Sequence, residues 1–285
     1  AMYRAKAEGK ARYEIFDRDM HHSAVALLKL ETELRRGVHR GDFVMNYQPI
    51  VSLTKGRIVG FEGLVRWKHP ERGIVTPANF IAIAEETGLI VPIGWWVLRE
   101  SCRQTRRWQE EFPGDPPLWV SVNMSGKLFM KSTMVDELMG ILEETGLRPR
   151  DLRIEVTENV VMDHADLAVR NLMELRALGI QLSVDDFGTG YSSLSYLQRF
   201  HYDSLKIDRS FVSQVGSPGE SRAIVETILN LANSLGIGVV AEGIETADQV
   251  DHLRKMQCPH GQGFWFSRPL TVPAAEELLA SSPTW

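Results

Sequence analysis

Phe43-Val44-Met45-Asn46-Tyr47-Gln48-Pro49-Ile50-Val51 and Arg57-Ile58-Val59-Gly60-Phe61-Glu62-Gly63-Leu64-Val65 are two β-rich runs joined through Leu53-Thr54-Lys55-Gly56-Arg57. The connection has no room for a helix, so it reads as a hairpin, and a hairpin makes its two strands antiparallel. The remaining runs behave differently. Leu118–Val122, Leu152–Val156, Gln181–Asp185, Ser204–Ile207, Gly238–Ala241 and Gly263–Phe266 are mostly separated by segments of helical period. Those segments cover about 77–87, 93–111, 133–145, 164–178, 219–235 and 246–256. Thr76-Pro77 supplies a helix start, and Glu-Glu-Thr-Gly-Leu, at 85–89 and again at 143–147, supplies a glycine stop. Eight strands with alternating helices over 41–285 predict an α/β fold, a modified TIM (β/α)8 barrel with its first strand antiparallel. An open doubly wound sheet is the competing architecture, because periodicity alone does not close a barrel.

Composition sets the class. The 285 residues are 44% hydrophobic and 24% charged, which excludes a disordered tail, a fibre and a disulfide scaffold. Lys+Arg number 32 against 37 Asp+Glu, a net charge of -5, so no broad basic face for duplex nucleic acid is expected. Cys102 and Cys258 lie far apart without CxxC spacing and read as reduced thiols, with a disulfide between them as the alternative. The apolar stretch from Gly88 to Leu98 is broken by Pro92 and Gly94 and is too short to cross a bilayer. No signal-peptide pattern opens the chain. It starts abruptly in helix-like sequence, as a piece of a longer protein would. Residues 17–40 read as an amphipathic linker helix with Leu27, Leu30 and Leu34 on one face. Trp95 and Trp96 fit core positions, and His69, His201 and His260 lack ligand spacing.

The chemistry sits at the strand ends. Glu62, Asn123, Glu155, Glu158, Asp185, Asp186, Lys206, Asp208, Glu242 and Glu245 fall on or just past successive predicted strands. In a parallel barrel those ends converge on one face. Singly, each has a structural explanation: Asp185-Asp186 before Phe187-Gly188-Thr189-Gly190 is turn chemistry, and Lys206 with Asp208 is a salt bridge. Jointly, so many acids at one mouth need compensating charge. Oxygen donors without a His–Cys cluster favour Mg²⁺ or Mn²⁺ over zinc. An enolase-like lyase with Lys206 as base would leave more acids than one metal site needs.

Ordered along the chain are Tyr47-Gln48-Pro49-Ile50, Glu62-Gly63-Leu64-Val65-Arg66, Ser121-Val122-Asn123-Met124-Ser125 and Glu155-Val156-Thr157-Glu158. They are followed by Asp185-Asp186-Phe187-Gly188-Thr189-Gly190-Tyr191-Ser192-Ser193-Leu194, Lys206-Ile207-Asp208, Ala241-Glu242-Gly243-Ile244-Glu245 and Gly261-Gln262-Gly263. Over about 40–272 this set resembles the EAL-domain phosphodiesterases, which hydrolyse the bacterial messenger cyclic di-GMP. The name-giving Glu-Ala-Leu reads Glu62-Gly63-Leu64 here. Residues 1–16 resemble the end of a GGDEF diguanylate cyclase domain, whose own signature is absent from the chain.

The resemblance implies two divalent cations, Mg²⁺ or Mn²⁺, one held by Glu62, Asn123, Glu155 and Asp185 and one by Asp185, Asp186 and Glu242. It implies a metal-activated water that attacks phosphorus to give linear pGpG, with Lys206 beside it and Glu62 and Glu245 in the catalytic set. Glu245 and Asp208 read as supports of the metal ligands. Substrate contacts fall to Gln48, Leu64, Arg66, Asp208 and Gln262, with Arg66 suited to phosphate. Glu158 is expected to anchor the Asp186-to-Leu194 loop. A catalytically silent cyclic di-GMP receptor is the rival reading, and the chain has lost none of the acids that active members use. A homodimer, a cytoplasmic location for this domain, and upstream GGDEF and sensor domains in a full-length protein open to membrane anchoring complete the expectations.

Overall fold

The computed structural model describes residues 18–157, 165–188, 202–216 and 219–285. Its strands are β1 Phe43–Ser52, β2 Arg57–His69, β3 Gly73–Val75, β4 Trp119–Asn123, β5 Leu152–Thr157, β6 Gln181–Phe187, β7 Ser204–Ile207, β8 Gly238–Ala241 and β9 His260–Gly261. The sheet runs β1-β9-β8-β7-β6-β5-β4-β2-β3, and an added β1–β2 pairing closes eight of these strands into a barrel. β1 is antiparallel to both neighbours, and β2 and β4 to β9 pair in parallel around the rest of the wall. The short hairpin loop is the cause, and Gly56 turns it with φ 63°. β3 extends β2 on the outside as a second hairpin.

The helices are α1 Arg18–Arg40, α2 Ile81–Thr87, α3 Ile90–Glu111, α4 Gly126–Phe129, α5 Met134–Thr145, α6 Ala165–Ala177, α7 Arg209–Val212, α8 Glu220–Leu235, α9 Ala247–Lys255 and α10 Val272–Ser281. Both Glu-Glu-Thr-Gly repeats end helices, α2 at Gly88 and α5 at Gly146, each in the left-handed conformation. α3 begins at Ile90 rather than near 93, because a proline at position 92 sits in the first turn, where its missing N–H costs nothing. No helix among the described residues is long and apolar enough to cross a membrane.

The predicted last strand is displaced. The sheet takes His260–Gly261, whereas residues 263–266 form a turn in which Phe266 and Ser267 N–H both donate to the Gly263 carbonyl, at 3.1 and 3.2 Å. Gly263 is pressed against the Ile244 backbone, where any side chain would collide. Phe264 and Trp265, read as strand residues, are exposed.

Alternation along the strands sorts the two faces. Tyr47 and Phe61 point outward under α3 and stack on Trp108, both at 4.8 Å between centroids, each pair adding about 1 kcal/mol beyond burial. Their neighbours Gln48 and Glu62 point into the barrel and are buried. The C-terminal half of α1 packs on this body. Leu34 is fully buried and Leu30 half-buried, while Leu27, expected on the same face, is exposed. Glu33 ties the helix to the β2–β3 hairpin through His69 at 3.2 Å and Arg72 at 3.2 Å. Cys102 and Cys258 are free and buried.

Candidate active site

Lys206 is the centre of the barrel mouth. Its position on β7 aims the side chain inward, where it is 2% exposed. The ammonium lies 2.6 Å from Glu242, 2.9 Å from Glu155, 3.4 Å from Glu62 and 3.5 Å from Asp185. Burial alone would lower its pKa, but the four carboxylates outweigh burial and hold it well above the usual lysine value. Burial acts on the acids in the opposite direction and pushes Glu155 up to about 8 and Glu242 up to about 7. One cation does not compensate so many carboxylates in a site this dry.

A hydrogen-bonded frame holds Glu62 in place. Its Oε1 accepts from Asn123 Nδ2 at 2.7 Å and its Oε2 from Gln262 Nε2 at 2.6 Å. Gln262 also donates to Gln48 Oε1 at 2.9 Å, and Gln48 donates to the Ser267 carbonyl at 3.1 Å. The buried Oε1 of Gln262 has no hydrogen-bond partner among the described residues. Glu155 accepts from the hydroxyl of Ser121. Sequence reading assigned no role to Ser121. Its position two residues before Asn123 places the side chain on the same strand face, and that was the available signal.

Asp185 and Asp186 are consecutive, so regular alternation would send them to opposite faces. The β6–β7 register shifts between Val184 and Phe187, and Asp186 takes φ 55°. That irregularity turns both acids to the site. Carboxylate oxygens of Asp185, Asp186 and Glu242 all lie within 4.8 Å of one another, spacing that suits a shared cation. The fit extends to charge. Glu62, Glu155, Asp185, Asp186 and Glu242 carry five negative charges when ionised against one on Lys206, and the difference of four is what two divalent ions bring. All the donors are hard oxygens.

The other predicted residues are more peripheral. Asp208 caps α7, accepting from Ser210 N–H at 2.9 Å; burial opposes its ionisation, but the hydrogen bonds at the helix start hold its pKa below the usual value. Glu245 is half-exposed at the rim, 3.9 Å from Arg209 and apart from the Lys206 cluster. Its N–H donates to Gln249 Oε1 at 2.7 Å, so the capping box of α9 fixes the Glu242–Glu245 turn. Arg66 is half-buried and donates to the neighbouring Val65 carbonyl at 2.8 Å. Glu158, His201 and the loop segment 189–201 lie outside the described residues.

Two cavities meet at Leu64. A polar cleft of about 270 Å³ is lined by Glu62, Asp185, Lys206, Glu242 and Gln262, with Phe264 at its rim. A mainly apolar cavity of about 330 Å³ lies between β2 and α3, walled by Ile81, Ile90, Ile93, Val97 and Met124. Leu64 lines both. Nothing in the strand-end pattern pointed to the apolar cavity, because its walls come from helices in other layers.

Comparison with known proteins gives the same picture. A family model described as the EAL domain matches residues 31–269. The bifunctional diguanylate cyclase/cyclic di-GMP phosphodiesterase MucR of Pseudomonas aeruginosa is 42% identical over 282 residues, 99% of this chain and 40% of that protein. The cyclic di-GMP phosphodiesterase PdeR of Escherichia coli is 36% identical over 276 residues, 97% of this chain and 41% of that protein. The chain thus spans well under half the length of these relatives. A solved structure described as the PaMucR phosphodiesterase in complex with c-di-GMP superposes with TM-score 0.81 at 42% identity, covering 88% of this chain and 99% of that one. By its motifs, its barrel and these matches, the chain belongs to the EAL domain family.

Proposed function

We propose that the chain hydrolyses cyclic di-GMP to linear pGpG. The observation that carries this reading is the fully buried Lys206 surrounded by Glu62, Glu155, Asp185 and Glu242 at the floor of an open cleft. Hydrolysis forms one bond from a water oxygen to phosphorus and breaks one P–O3′ bond, and the released O3′ gains a proton. Glu62, Asn123, Glu155 and Asp185 would hold one Mg²⁺ or Mn²⁺, and Asp185, Asp186 and Glu242 a second. Such ions supply an acidified water and neutralise developing charge on the phosphoryl oxygens.

The chain's own groups do the rest. Lys206, held as an ammonium by the carboxylates around it, donates hydrogen bonds to anionic oxygen. Asn123 and Gln262 fix both oxygens of Glu62, so the carboxylate is pre-oriented. Gln262, whose Oε1 is left without a partner among the described residues, and Gln48 beside it are the contacts for the guanine edge. Arg66 is the phosphate contact, and the apolar cavity beyond Leu64 takes a base. Asp208 and Glu245 shape the mouth. The reading extends to the whole protein: residues 1–16 end an upstream GGDEF domain, residues 17–40 connect it to the barrel at 41–285, and the domain works as a homodimer in the cytoplasm.

The test is incubation of the purified chain with cyclic di-GMP and Mg²⁺ or Mn²⁺, followed by chromatography. pGpG forms with the wild type and is lost in Glu62→Ala. Binding without turnover would mark a silent receptor instead.

A further inference from the structure

Gly63 separates Glu62, whose carboxylate enters the barrel, from Leu64, which lines both cavities. A side chain at 63 would leave β2 on its outer face, towards α3. A Cβ there would lie 2.7 Å from Ser101 Oγ and 3.2 Å from Met45 Cε, but 3.6 Å from Ser101 Cβ. The first distance is closer than carbon and oxygen approach without bonding, and the last is ordinary contact. Ser101 is fully buried in the middle of α3, and its Oγ has no hydrogen-bond partner among the described residues, so packing alone places the hydroxyl against residue 63.

The consequence lies one and two turns along the same helix. Val97 and Ile93 of α3 wall the apolar cavity, and Gly63, Leu64 and Val65 face them from β2. The β2–α3 spacing at residue 63 is therefore the spacing across the cavity. We propose that Ser101 is a positioning residue for substrate: its hydroxyl fills the volume a side chain at 63 would need, and the Gly63–Ser101 pair sets the width of the base cavity. This rests on the functional reading above. It also gives the glycine in Glu62-Gly63-Leu64 a physical partner, since the Ser101 hydroxyl occupies the room that a methyl on the strand would take.

The experiment is a four-variant cycle of wild type, Gly63→Ala, Ser101→Ala and the double variant. KM and kcat for cyclic di-GMP are measured alongside Kd by calorimetry, melting temperature and the Mn²⁺ half-saturation constant. Gly63→Ala forces α3 outward and raises KM and Kd roughly two- to tenfold, with kcat changed less, the lower part of the range expected for coupling between residues in contact. Ser101→Ala removes the clashing oxygen, keeps the helix former, and returns the double variant to within twofold of wild type. Mn²⁺ half-saturation stays constant, because Glu62 faces the opposite side of the strand.

Wild-type KM and Kd in Gly63→Ala overturn the proposal, and so does a raised KM that Ser101→Ala fails to rescue. A uniform fall in melting temperature without movement in KM assigns the pair a purely structural role and also overturns it. A wild-type chain that neither hydrolyses nor binds cyclic di-GMP takes down the functional reading and this inference together. Substrate handled normally with flat constants across the cycle takes down this inference alone.

Discussion

Replacing Lys206 by methionine removes the one ammonium among Glu62, Glu155, Asp185 and Glu242 and keeps the volume of the side chain. With metal chelated, the four carboxylates are left buried without a cation at distances now spanned by contacts of 2.6–3.5 Å. Removing one partner of a buried ion pair costs about 3–5 kcal/mol. The cost is capped, because Glu155 and Glu242 already stand near 8 and 7 and gain protons readily. At about 2–4 °C per kcal/mol for a chain of this order of size, the variant should melt roughly 10 °C below wild type. The sign of the pH dependence follows from the raised acids. The stability they confer is complete below the unfolded value near 4.5 and is lost as pH rises through 7 and 8. The gap between variant and wild type should therefore be wider at pH 8 than at pH 6. Saturating Mn²⁺ should raise the variant's melting temperature more than the wild type's, because a divalent ion restores the missing charge. The assay is differential scanning calorimetry in EDTA and in MnCl₂ at both pH values. A variant within 2 °C of wild type in EDTA would refute the claim that Lys206 compensates this cluster.

Mn²⁺ affinity should rise from pH 6 to pH 8, since binding must displace protons from Glu155 and Glu242; titration calorimetry in two buffers of different ionisation heat should detect proton release. A pH-independent affinity would count against these acids as ligands. His260, depressed to about 4 by burial and by nearby Arg153, confers stability that is complete above about 6.5 and is lost as pH falls through 4. Its loss is bounded at about 3 kcal/mol, so His260→Gln should flatten the stability curve between pH 7 and pH 4, and an unchanged slope would exclude this histidine as the source.

The order and direction of the strands were legible because they depend on short-range covalent geometry. A connection of a few residues after Val51 cannot hold a helix, so β1 had to reverse, and glycine after Glu-Glu-Thr had to stop α2 and α5. The acids at successive strand ends were legible for the same reason, since chain order around a barrel fixes which ends face the mouth. Residues 263–266 misled because an aromatic run reads as a strand until Gly263 meets the Ile244 backbone.

The sequence by itself determined the order of strands and helices, the reversed first strand and the acids at successive strand ends, while closure of the sheet into a barrel came from the β1–β2 pairing. Only the tertiary structure decided how those groups meet. Lys206 reaches four carboxylates from four other segments. The break in the β6–β7 register turns two consecutive acids to one side, and Ser101 arrives opposite Gly63 from 38 positions away. Local periodicity is set by bonds within a few residues of the chain, whereas contact across a barrel is set by closure and packing, which no short stretch of sequence contains.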